Sequence, residues 1–154
     1  MSHIHVEVER VVDAPPAEVY QFLADYREKR PIILTPNFLG YAVEQGGVGT
    51  GTVMHYRLHA GGRERPYQME IDEPEKGRAL RERDANSSLV TVWTVNQGAN
   101  PEQSKVVVTS DWEGGSGMGG FFERTFAPMG LRGIYTEMLN RLAQALTGTA
   151  AARS

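Results

Sequence analysis

The alternation of hydrophobic and polar positions changes period three times along this chain. From residue 4 to residue 8, apolar and polar side chains alternate, which predicts a strand with one buried face. After Asp13-Ala-Pro-Pro, apolar residues from Val19 to Tyr26 recur at helical spacing and predict an amphipathic helix of about ten residues. Residues 27–37 contain two prolines and predict a short second helix or turn, followed by a loop.

From Phe38 onward the period is two, and turns rich in Gly, Pro, Asn or Asp end each segment. The six predicted strands cover residues 38–45, 52–59, 65–72, 78–83, 88–96 and 105–112. Short strands joined by tight turns predict an antiparallel meander. A last apolar stripe at 3.6-residue spacing predicts a long helix from Pro128 to Thr147.

Composition limits the class of protein further. The chain has 154 residues without a linker or repeat, so we predict one domain, 1–154, with a core over about 4–147. Sixteen basic and nineteen acidic residues give a net charge of -3, so no nucleic-acid partner is expected. The chain lacks cysteine, which excludes disulfides and thiolate sites and fits a cytoplasmic location. The N-terminal MSHIHVEVER has no apolar run, so neither a signal peptide nor a transmembrane segment is expected.

Three stretches in a fixed order carry a family resemblance: VEVERVVDAPPAEVYQFLADY, GGVGTGTVMHYRL and LRGIYTEMLNRLAQAL. Together they resemble the START/polyketide cyclase-like superfamily (SRPBCC, Bet v 1-like) over residues 4–147. The resemblance implies an α+β helix-grip fold, with a seven-stranded antiparallel sheet curled around a long C-terminal helix and two short helices after the first strand. It also implies an apolar cavity between sheet and helix. Several members bind lipids, sterols, quinones or polyketides, and some are aromatase/cyclases.

Ligand-binding residues are expected among the inward aromatic and methionine side chains, which suit an irregular apolar cavity. The phase of Met54, Tyr56 and Leu58 is the more apolar face of its strand and is assigned inward. The other candidates are Tyr67, Met69, Trp93, Trp112, Met118, Phe121, Phe122, Tyr135 and Met138. For each of them, ordinary core packing is the alternative.

The sequence offers few catalytic candidates. Glu82 is predicted to point inward, where its carboxylate needs a partner such as an arginine; the alternative is that the strand phase breaks at a bulge. Tyr56, Tyr67 and Glu82 are therefore the candidate catalytic residues, whereas Arg57 falls on the outward phase of its strand. No G-x-S-x-G or H-E-x-x-H motif is present, and no spacing demands acid/base chemistry.

Histidines and glycines do not indicate a metal or a cofactor. His55 and His59 share one face of a strand but lie roughly 13 Å apart, too far for one metal ion. The stretch Gly115–Gly120 matches G-x-G-x-x-G, but a dinucleotide site needs a following parallel strand, and a helix follows instead. With Met118, Phe121 and Phe122, this segment is predicted to form either an apolar gate or a plain connection whose aromatic residues fill the core edge.

Three hypotheses follow. The first is a cytoplasmic protein that binds a hydrophobic or amphipathic molecule, such as a lipid, quinone or polyketide, between sheet and helix. The second is a polyketide cyclase or dehydratase, which a polar residue near a ligand carbonyl would favour. The third is a partner-binding domain without a small ligand, which predicts a filled interior and an exposed apolar patch. Ligand identity and oligomeric state stay open.

Overall fold

The computed structural model describes residues 3–60, 62–113 and 128–153, with the side chains of the last range from 130 to 147. Strand β1 is His3–Val12, helix α1 is Pro16–Ala24 and a 3₁₀ helix is Arg30–Ile33. The next six strands are β2 Phe38–Gln45, β3 Val53–Ala60, β4 Arg63–Glu75, β5 Ala79–Asp84, β6 Val90–Gln97 and β7 Ser104–Glu113. Helix α2 is Pro128–Arg153.

All seven strands form one antiparallel sheet in the order β1-β7-β6-β5-β4-β3-β2. The α+β helix-grip fold predicted from the sequence is thereby confirmed. The second short helix is the four-residue 3₁₀ helix. Within the described ranges, no helix combines the length and the apolar character that crossing a membrane requires.

Strand β4 and helix α2 both end later than the sequence predicted. Strand β4 continues through Pro74 to Glu75, where the sequence predicted a turn. The register shifts between Asp72 and Glu75, and such an irregularity admits a proline because a ladder hydrogen bond is already missing there. Helix α2 extends past Gly148, the predicted stop, because the alanine-rich tail that follows has high helix propensity.

The glycine-rich turn between β2 and β3 packs on the end of α1. Gly47 accepts a hydrogen bond from the Tyr26 amide at 2.8 Å, and the Gly49 amide donates to the Ala24 carbonyl at 3.0 Å. Gly49 has φ +61, and a Cβ there would collide with a carboxylate oxygen of Glu73. The turn therefore needs glycine at this position both for its backbone conformation and for space.

Helix α2 packs across β1 and against the 3₁₀ helix. Its buried stripe consists of Leu131, Ile134, Tyr135, Met138, Leu139, Leu142, Ala143 and Leu146. The middle of the helix is held by polar contacts as well: Arg141 donates to the Leu34 carbonyl at 3.1 Å, and Arg10 donates to Asn140. The helix thus packs on the sheet along the buried stripe from Leu131 to Leu146.

Candidate functional site

The side chains that the sequence predicted to point inward on β3 and β4 lie on the inner face of the sheet. Met54, Tyr56 and Leu58 on β3 are all buried, as are Tyr67 and Met69 on β4. These two strands are paired in register, with Tyr56 opposite Tyr67 and their rings 5.7 Å apart. The inward assignment is therefore confirmed for both strands.

The opposite face of β3 is turned towards solvent. Arg57 is exposed and lies 3.8 Å from Glu64. His55 and His59 share this face and are at most partly covered. In the described ranges, no group of three or more His, Asp or Glu side chains is arranged to hold a metal ion.

Two small cavities lie between the sheet and α2. The first, called the Arg65 cavity, has a volume of about 30 Å³ and is lined by Phe38, Tyr56, Leu58, Arg65, Tyr67, Ser87, Leu89, Trp112, Leu131 and Tyr135. The second, called the Glu82 cavity, has a volume of about 20 Å³ and is lined by Arg30, Leu34, Phe38, Tyr41, Met54, Tyr56, Glu82, Thr91, Trp93, Tyr135 and Met138. Phe38, Tyr56 and Tyr135 belong to both walls, so the cavities are neighbours divided by aromatic rings.

Most predicted ligand-binding residues lie on these walls. Tyr56 and Tyr135 line both cavities, and the rest divide between the two. Met69 is an exception, because it is buried in the core but lines neither cavity. Met118, Phe121 and Phe122, together with the glycine motif at 115–120, lie outside the described residues. Contact with a ligand stays a prediction for all of them.

Glu82 is buried and has the arginine partner that its position required. Arg30 Nη2 and the Tyr26 hydroxyl both donate to Oε2 of Glu82, each at 2.6 Å. Arg30 Nε also donates to the Leu23 carbonyl at 3.1 Å, and its guanidinium lies 4.7 Å from the Trp93 ring centre. Burial, and then the Glu82 charge, raise the pKa of Tyr26 well above its usual value. This cluster fixes the 3₁₀ helix to β5 at the wall of the Glu82 cavity.

A chain of three hydroxyls links the sheet to α2. Thr91 and Ser110 are hydrogen-bonded at 2.7 Å, and Ser110 is hydrogen-bonded to Tyr135. Burial raises the pKa of Tyr135 to about 12, and the hydrogen bonds from Ser110 and Thr91 limit this rise. Burial also raises the pKa of Tyr56 well above its usual value. Both phenols are therefore neutral near pH 7 and suit hydrogen bonding rather than proton abstraction.

Both tryptophans of the chain lie on the cavity walls, Trp93 on β6 and Trp112 on β7. Their exposed fractions are 1% and 4%. Neither indole Nε1–H has an acceptor among the residues that the structure describes. A buried donor without a partner costs about 1–3 kcal/mol, so these two groups favour any ligand that brings an acceptor.

Sequence reasoning missed two arginines. Arg65 is buried on the same phase of β4 as Tyr67, and its guanidinium lies 5.4 Å from that ring centre. Its alternation with Tyr67 and Met69 was the signal that would have placed it inward. Arg30 had no such signal, because it lies in a 3₁₀ helix too short to show a period.

Comparisons with known proteins agree with the fold and with the family resemblance. The family model described as polyketide cyclase/dehydrase and lipid transport matches residues 3–147. The solution structure of KanY protein is similar at 38% identity and a TM-score of 0.82, over 96% of this chain and 99% of that chain. No curated protein sequence matches significantly.

Two more distant structures share the fold. The Zhui aromatase/cyclase from Streptomyces sp. R1128 is 20% identical with a TM-score of 0.65, over 99% of this chain and 96% of that chain. The major latex-like protein 151 from Panax ginseng is 12% identical with a TM-score of 0.69, over 93% of this chain and 97% of that chain.

Proposed function

Because the chain belongs to the polyketide cyclase/dehydrase and lipid transport family, we propose that it binds a hydrophobic or amphipathic small molecule between the sheet and α2. Lipid-, quinone- and polyketide-like molecules are the candidates. One observation carries the proposal: two neighbouring cavities with mainly apolar and aromatic walls, each with a few polar groups. Such walls are typical of small-molecule sites.

Ligand binding must widen these cavities. Their volumes of about 30 and 20 Å³ hold little more than water, whereas sites for small ligands measure about 300–1,000 Å³. Burying about 300 Å² of apolar ligand surface contributes roughly 7 kcal/mol before the costs of association and of moving the walls. The ligand therefore displaces wall side chains, and Phe38, Tyr56 and Tyr135 are best placed to yield because they divide the two cavities.

The test is a titration with the fluorescent hydrophobe 1-anilinonaphthalene-8-sulfonate, alongside native mass spectrometry of gently purified protein. We expect saturable binding near one equivalent and a retained lipid-sized adduct. The variant Leu89→Phe narrows the Arg65 cavity and should weaken binding about tenfold. The control Ile32→Phe adds the same ring at an exposed position and should leave it unchanged. A clean chain mass with no saturable binding would refute the proposal.

The second candidate function is a polyketide cyclase or dehydratase. It is favoured by Glu82 and Tyr56, which line one cavity together and could orient a bound polyketone. The test is to incubate the protein with an aromatic polyketone and analyse the products by mass spectrometry. Turnover lost in Tyr56→Phe or Tyr67→Phe, but kept in the control Tyr20→Phe, would support catalysis, because Tyr20 lies outside both cavity walls. Binding without any new product would indicate that the protein binds the ligand and does not convert it.

A partner-binding domain is less well supported. The small cavity volumes fit that hypothesis, but the exposed apolar patch that it requires has little support. Three large hydrophobic residues are exposed in the described ranges: Val11 on β1, Ile32 on the 3₁₀ helix and Val48 in the turn between β2 and β3. A cytoplasmic location stays a prediction.

A further inference from the structure

The two tryptophans indicate what kind of ligand the cavities select. We propose that the ligand is an extended hydrophobe with two hydrogen-bond acceptor oxygens, of the ketone or quinone type, and that Trp93 Nε1–H and Trp112 Nε1–H each donate to one of them. This inference rests on the proposed binding function and adds the ligand's polar pattern to it. The chain has two tryptophans in all, and each lies on the wall of a different cavity.

The lack of an acceptor is unusual for groups buried this deeply. Trp93 and Trp112 are at least nine-tenths buried, and neither Nε1–H meets an acceptor in the described part of the chain. Most buried polar side-chain atoms in proteins have a partner, so each exception needs an explanation. Two exceptions within one pair of neighbouring cavities are explained together if a ligand supplies both acceptors.

The chemistry of the indole group decides which ligand atom satisfies it. The hydroxyls on the walls of both cavities can donate or accept hydrogen bonds, whereas an indole N–H only donates. The described lining of the Arg65 cavity contains no carboxylate, and in the Glu82 cavity Oε2 of Glu82 already accepts from Arg30 and Tyr26. A ligand oxygen therefore satisfies each indole, whereas a ligand donor does not.

The strand register sets the spacing of the two tryptophan backbones. Trp93 on β6 is paired with Val108 on β7, and Trp112 follows Val108 by four residues on the same face. Four residues along a strand span roughly 13 Å. Because each tryptophan lies on the wall of a different cavity, a ligand that binds both indoles is elongated, with one oxygen in each cavity.

The experiment follows the two indole N–H signals of the uniformly ¹⁵N-labelled full chain by NMR. The probes are 2,11-dodecanedione, 2-dodecanone and the hydrocarbon isostere 2,11-dimethyldodecane, each delivered from cyclodextrin. We expect the diketone to move both indole protons downfield, the monoketone to move one, and the hydrocarbon to move neither by hydrogen bonding. Because both signals belong to the unmodified protein, the test needs no variant to fold.

Affinity gives the second readout, measured by displacement of 1-anilinonaphthalene-8-sulfonate. Trp93→Phe and Trp112→Phe should each weaken diketone binding about tenfold and leave hydrocarbon binding within about twofold, since each removes one hydrogen bond to the ligand. Equal binding of diketone and hydrocarbon, with indole signals unmoved, would overturn this inference and leave the binding function standing. If neither the fluorescent probe nor any of the three ligands binds, the proposed function fails and the inference fails with it.

Discussion

At the scale of single residues, Glu82 has the most demanding position in the interior. Its side chain is 5% exposed and that of its partner Arg30 is 3% exposed. Removing two charges from water costs several kcal/mol each, and only close pairing with further hydrogen bonds offsets that cost. Tyr26 and the Leu23 carbonyl supply those bonds. The pair therefore holds the 3₁₀ helix in one place rather than adding much net stability.

The substitution Glu82→Gln tests this account. It leaves the Arg30 guanidinium buried without its counter-charge, and we expect the free energy of unfolding to fall by about 3–5 kcal/mol. Urea denaturation followed by circular dichroism measures the change. The control is Glu64→Gln, which breaks the exposed pair with Arg57 and should cost less than about 1 kcal/mol. Similar losses for both variants would mean that the buried pair has no special structural role.

At the scale of elements, the glycine-rich turn after β2 depends on Glu73. The carboxylate accepts hydrogen bonds from the backbone and hydroxyl of Thr50, at 2.9 and 3.1 Å, and from Tyr20. The carboxylate thereby joins the turn to both α1 and β4. Gly49 lies directly against it, so any side chain there must push Glu73 away.

We expect Gly49→Ala to destabilise the protein more than Gly77→Ala. Both glycines have positive φ, which costs an alanine about 1–2 kcal/mol. At Gly77 a Cβ meets nothing within 4 Å, whereas at Gly49 it would displace Glu73 and weaken its hydrogen bonds, adding at least about 1 kcal/mol. Thermal and urea unfolding of the two variants measure the difference. Equal losses would show that backbone strain alone explains the glycine.

The pairing of β1 with β7 carries a cluster of ionisable side chains. His3 and His5 both contact one oxygen of Asp111 at 2.7 Å, with Glu113 and Glu7 beside them. Hydrogen bonds to Asp111 are the main cause that raises the pKa of both histidines above 6.5. Burial by itself raises the pKa of Asp111, but the hydrogen bonds from His5 and His3 outweigh it and lower that pKa below 3.8.

This arrangement predicts a pH window for the stability of β1. The histidine contribution is complete below the unfolded pKa of 6.5 and disappears as pH rises through the raised folded pKa. The Asp111 contribution is present above 3.8 and disappears as pH falls through the lowered folded pKa. A double-mutant cycle of His5→Gln and Asp111→Asn should therefore show its largest coupling between about pH 4 and 6.5. Coupling that is constant from pH 4 to pH 9 would contradict this prediction.

The sequence predicted elements better than contacts, for a physical reason. Period-two alternation depends on one face of each strand being buried, so the phases of β3 and β4 were readable directly. The sequence also predicted that Glu82 needs a partner. It could not identify Arg30 as that partner, because Arg30 lies in an aperiodic segment that is distant in the chain. Cavity membership depends on three-dimensional packing, which is why Met69 was grouped with the cavity residues although it lies in the core.

At the scale of the whole molecule, the middle of α2 and its start are held by different contacts. Near its middle, Arg141 binds the Leu34 carbonyl and Asn140 accepts from Arg10, so this part is fixed to the 3₁₀ helix and β1. Closer to its start, Leu131 and Tyr135 face the cavities, and Tyr135 reaches the sheet through Ser110 and Thr91. Because Leu131 and Tyr135 border the cavities, movement of the first half of α2 would widen them.

Hydrogen exchange measured by mass spectrometry tests this division. In the free protein, we expect amides of residues 130–137 to exchange faster than those of residues 138–146, because the Arg65 cavity leaves less packing beneath the first half. Saturation with 1-anilinonaphthalene-8-sulfonate should slow exchange mainly in the first half, since a ligand restores packing beneath it. At a concentration of about 100 times Kd, global stability should rise by about 2.7 kcal/mol. Uniform protection along α2 would contradict this division and indicate that the helix moves as one unit. Protection confined to β1 would indicate that the probe binds outside the cavities.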